Sequence, residues 1–195
     1  MNKQKISRYF YFLFLFALSF SAHAHSGAGS MHGFADGFIH PWLGIDHLLA
    51  MSAVGLWAAL MGGRSLWQLP VAFLTAMAAG VGLSFAGIEH QGAEAWVAFS
   101  LLALGLILFI NRRLSTPFAS ALVGLFALGH GYLHAAEIGV ESNAFSYALG
   151  FLLATALLHG VGIAAGLSGP AVRRVARAGF ALSCTLTGAM LLAGI

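Results

Sequence analysis

Six long apolar runs constrain this chain more than any other feature. They span about 43–61, 70–88, 95–111, 117–137, 144–166 and 174–194. Each approaches or reaches the roughly 20 residues that an α-helix needs to cross a hydrocarbon core about 30 Å thick. Only 8% of the 195 residues are charged, against 59% hydrophobic. A water-facing surface takes about 25% charged residues, so a soluble domain is excluded. The expected fold is an all-α polytopic membrane protein with six transmembrane helices. The 25 glycines fit helices that pack closely through small side chains in lipid.

A secretory signal is expected over 1–24, ahead of those runs. Lys3, Lys5 and Arg8 form its basic region, Tyr9 to Phe20 its apolar core, and Ala22-His23-Ala24 a small-x-small cleavage site. The mature chain would then begin at His25, outside the cytoplasm. Residues 25–40 read as a Gly-rich extracytoplasmic lead-in, and 41–195 as the six-helix domain. The lead-in contains His25, His32 and His40; a free terminal amine beside an imidazole would also chelate a late transition metal.

Charge placement gives the orientation. Every Arg of the mature chain falls in the first, third or fifth connection: Arg64, Arg112 with Arg113, and Arg173, Arg174 and Arg177. Cytoplasmic loops carry such an excess, so these connections face the cytoplasm and both mature termini face the periplasm of a bacterial inner membrane. The pI of about 9.4 therefore reflects topology and implies no nucleic-acid partner. The acids Asp36, Asp46, Glu89, Glu94, Glu137 and Glu141 lie toward the opposite side. So do seven of the eight mature histidines, with His159 the exception. An acidic, imidazole-rich vestibule concentrates cations. Cys184, within an apolar run, reads as a packing residue.

Two stretches carry chemistry. His40-Pro41-Trp42-Leu43-Gly44-Ile45-Asp46-His47 opens the first span, with Pro41 expected in a first helical turn. A carboxylate at membrane depth requires a cation or a donor, which favours Asp46 and His47 as a ligand pair. The fourth span ends with His130, His134 and Glu137 at i, i+4 and i+7, on one helical face. Two imidazoles so spaced can share a metal, with Glu137 as ligand or acceptor. His159 would lie about 20 Å along the fifth span, either as a stepping-stone for an ion or as a packing histidine. Imidazole mixed with carboxylate, without a thiolate pair, suits divalent Ni, Co or Zn.

The pattern His40-Pro41-x-x-Gly44-x-Asp46-His47, continued by Ala50-Met51 and Val54-Gly55-x-Trp57-Ala58, resembles the HupE/UreJ nickel or cobalt permeases. So does His130-Gly131-x-x-His134-x-x-Glu137, with Leu133 and Ala135 where that family has Ala and Gly. The resemblance covers the whole chain. It implies nickel uptake for hydrogenase or urease maturation, with transport resting on His40, Asp46 and His47 and a second motif at His130, His134 and Glu137. Ni(II) or Co(II) would then be cargo, with no permanently bound cofactor, and the chain no enzyme. A homo-oligomer is left open. The rival reading is an intramembrane zinc-dependent hydrolase, whose open site needs three ligands and a water. A serine protease built on Gly166-Leu167-Ser168-Gly169 has no histidine after it to serve as base.

Overall fold

The computed structural model describes residues 33–88, 92–135 and 143–195. The expected signal peptide with its cleavage site, His25, His32, Glu89, His90, Glu137 and Glu141 lie outside the described residues. Every element among the described residues is a helix: α1 Phe34–Leu43, α2 Ile45–Met61, α3 Ser65–Phe85, α4 Ala93–Ile110, α5 Thr116–Ala135, α6 Ala144–Leu167 and α7 Pro170–Ala193. In hydrocarbon a backbone must satisfy its own N–H and C=O groups, and an uninterrupted helix does so. Helices α3 to α7 are each long and apolar enough to span a membrane. Helices α1 and α2 form a pair bent by 83° that makes a sixth span if counted as one. The core elements therefore follow the apolar runs to within a few residues.

Local chemistry sets the breaks. Gly62 and Gly63 have φ of 72° and 56°, a left-handed turn that glycine adopts without strain, between α2 and α3. Asn111 ends α4 at φ 53°, and the Asn143 side chain accepts from the Ser146 amide at 3.1 Å to cap α6. Pro170 starts α7 at a position where its missing donor is not needed.

Three features depart from the sequence reading. The Gly-rich lead-in is helical in part, because residues 34–40 belong to α1, which packs on α6. Pro41 sits buried in the last turn of α1, not the first turn of a span, and the break falls at Gly44. Arg173, Arg174 and Arg177 stand on the opening turns of α7 instead of in a loop. At 24 residues α7 is about 36 Å long, so its ends project beyond the hydrocarbon. From there Arg177 donates to the Leu108 and Phe109 carbonyls at 2.9 and 3.3 Å, capping the C-terminal end of α4.

Packing runs through reciprocal glycine contacts. A Cβ on Gly55 of α2 would overlap the His159 carbonyl, and one on Gly162 of α6 would overlap that of Ser52. The pairs Gly37 with Gly150 (α1 on α6), Gly80 with Gly131 (α3 on α5) and Gly105 with Gly188 (α4 on α7) work the same way. Lipid offers no hydrophobic drive for helix association, so close backbone approach supplies the dispersion contacts instead. Large apolar side chains meanwhile point outward: Phe109 is 76% exposed and Phe145 75%. Water would not tolerate that surface; acyl chains do. Cys184 is fully buried, as a packing residue should be.

Candidate metal centre

Gly44 breaks the chain so that α1 ends, and α2 begins, at one end of the bundle. His40 comes from the last turn of α1, His47 from the first turn of α2 and His134 from the last turn of α5. One nitrogen of each lies within 4.8 Å of the other two. The His47 and His134 rings meet edge-on with centroids 3.9 Å apart, and His40 stands 5.4 and 5.2 Å from them. A metal with bonds of about 2.1 Å holds adjacent nitrogens about 3.0–3.4 Å apart, so side-chain shifts of about 1 Å close the group around an ion. His47 is 1% exposed and His134 6%, whereas His40 is half-buried, on the solvent side of the trio.

Asp46 lies beside the trio, with an oxygen 3.5 Å from His47 Nδ1. A carboxylate so placed draws positive charge to that side of the ring, and a move of a few tenths of an ångström would bring it to hydrogen-bonding distance of Nδ1. Phe151 and Tyr147 of α6 wall the site: Phe151 lies 5.6 Å from His40, 5.8 Å from His47 and 6.0 Å from His134, and Tyr147 lies 6.2 Å from His40. Neither aromatic carried a sequence signal, since a phenyl or phenol in an apolar run looks like packing.

The two histidines of the i, i+4 pair sit at different depths. His134 joins the trio, but His130 stands a turn deeper, 5.9 Å from the His47 ring, and donates from Nδ1 to the Phe126 carbonyl at 3.1 Å. His159 is buried farther along α6, about 22 Å from its first residue, and bonds the Thr155 carbonyl at 2.7 Å. The structure thus brings together His40, Asp46, His47 and His134, and leaves His130 and His159 as successive deeper groups. The other end of the bundle is basic, with a cavity of about 240 Å³ lined by Trp57, Asn111, Arg112, Arg113 and Arg173 among others. Cations are drawn to the first end and repelled from the second.

The model of the HupE / UreJ protein family matches residues 13–191. Protein HupE of Rhizobium leguminosarum bv. viciae is 42% identical over 163 residues, covering 81% of this chain and 83% of the relative. No solved structure gives a significant match.

Proposed function

The chain belongs to the HupE / UreJ family of membrane transporters, and from that premise we propose that it carries a divalent transition-metal ion inward across the bacterial inner membrane. Nickel is the first choice of cargo and cobalt the second, destined for hydrogenase or urease maturation. The observation that carries the reading is the convergence of three imidazoles, each from a different helix, at one buried end of the bundle. Imidazole nitrogen binds late first-row ions well and Mg or Ca poorly.

In this scheme the arginine-bearing end faces the cytoplasm and the histidine-bearing end, with both mature termini, the periplasm. His40, His47 and His134 capture the ion, Asp46 holds His47 in its binding orientation, and Glu137 adds an oxygen ligand. His130 and then His159 receive the ion by exchange of one imidazole for another. A transport site must also release, and three neutral imidazoles, one acid and water completing the shell favour that over a closed cage. The partners are the metal and the lipid bilayer. Kinship gives no support to the rival zinc hydrolase, since the family consists of transporters.

Radioactive nickel uptake into proteoliposomes tests the proposal. Wild-type protein should give saturable uptake that His47→Ala abolishes, with cobalt competing better than magnesium. Absence of uptake by folded wild-type protein, for nickel, cobalt and zinc alike, would refute it.

A further inference from the structure

Two imidazoles below the histidine trio share the same bonding state. His130 and His159 are 0% and 1% exposed. In each, Nδ1 faces the carbonyl oxygen four residues back, of Phe126 or Thr155. A carbonyl only accepts, so Nδ1 carries the hydrogen and Nε2 presents a lone pair. Both Nε2 atoms are buried with no hydrogen-bond partner among the described residues. Burying an unmet acceptor is costly, and a pair of them in one bundle calls for an occupant that is not always present. A metal cation fits a lone pair fixed in this way.

One ring is in contact with both. Phe73 of α3 is fully buried, with its centroid 5.9 Å from His130 and 5.0 Å from His159. No ring contact joins the two imidazoles directly among the described residues. Phe73 has no lone pair to offer, so an ion passing from one imidazole to the other gains no coordinate bond from the ring, only attraction to its π face, and the ring must move for the ion to pass.

We propose that Phe73 is a partition between His130 and His159 that sets the rate and selectivity of metal transfer. This rests on the uptake reading above. With the ring in place there is no room for a hydrated ion, and only an ion whose waters His130 Nε2 and His159 Nε2 can replace makes the crossing. Nickel and cobalt accept that exchange, whereas ions that prefer oxygen ligands, such as manganese, do not. Removing the ring opens a wet route that needs no exchange.

The test compares wild type, Phe73→Ala and Phe73→Trp as full chains in proteoliposomes, with nickel and manganese uptake measured side by side. A Co(II) absorption titration in detergent reports the affinity of the histidine trio. Phe73→Ala should raise manganese uptake about tenfold, and Phe73→Trp should lower nickel uptake about tenfold, with the Co(II) affinity unchanged in both. Should Phe73→Ala fail to fold, Phe73→Leu takes its place with the same expected direction. If wild type transports nickel while the variants keep its rate and its exclusion of manganese, the partition is overturned and the uptake reading stands. If wild type moves no metal, both fall.

Discussion

Gly131 lies between two histidines of the second motif and has no side chain to offer a metal, yet its substitution should weaken metal binding. A Cβ there would overlap the Met77 carbonyl oxygen of α3 and stand 2.7 Å from the carbonyl carbon. Carbon atoms in contact sit about 3.5–4.0 Å apart, so Gly131→Ala forces α3 and α5 to separate by about 1 Å. Met77 presents backbone here, not the end of a flexible side chain, and cannot yield locally. His134 rides on α5, and metal–ligand distances tolerate only about 0.2 Å. We expect the apparent affinity for Co(II), read from its absorption on titration, to fall about 10–100-fold. Overpacking should cost about 1–3 kcal/mol, lowering Tm by about 2–4 °C per kcal/mol in a chain of this size. Gly160→Ala is the control, because a Cβ at Gly160 meets nothing within 4 Å. It should bind as wild type does, with stability unchanged or raised by up to about 1 kcal/mol. A Gly131→Ala protein with wild-type affinity and melting temperature would refute the argument that this close approach positions the site.

Other substitutions separate the roles of individual groups. Asp46→Asn removes the charge beside His47 Nδ1 but keeps the shape, and should weaken Co(II) binding about 10–100-fold with little change in Tm. Metal binding requires neutral imidazoles, so nickel uptake should fall as the pH is lowered, as a pH series in proteoliposomes would show. Arg177→Ala deletes two hydrogen bonds to the end of α4 and should lower stability by about 1–3 kcal/mol in a thermal melt, without changing Co(II) affinity.

Hydropathy alone located the spans, because a membrane imposes length and apolarity on each helix whatever its neighbours. It did not locate α1. Residues 34–40 are polar enough to read as a loop, and Gly37 argues against a helix on propensity. Gly37 is there for packing, since it lets the backbone of α1 approach Tyr147 of α6. Tertiary contact thus overrides a local preference. Pro41 misled because proline's preference for a first helical turn is only statistical: here it stands late in α1, and Gly44 ends that helix within one turn.

The candidate site was legible where chemistry is written in the residue type. His40, Asp46, His47 and His134 stand out as costly groups in an apolar chain, and three imidazoles of that set do converge. Helical periodicity grouped His130 with His134, but it cannot tell which end of a stacked pair meets a third helix. Phe73, Phe151 and Tyr147 were invisible, since an aromatic side chain gains its role here only from the ring or lone pair that faces it. Glu137 lies outside the described residues, and its place at the site rests on the i+7 spacing alone.

X-ray absorption at the metal edge of nickel-loaded protein tests the central claim most directly. The account predicts a first shell of nitrogen and oxygen at about 2.0–2.1 Å with the outer scattering of about three imidazoles, falling to about two in His134→Ala. A shell made only of oxygen, or an imidazole count unchanged by His134→Ala, would contradict it.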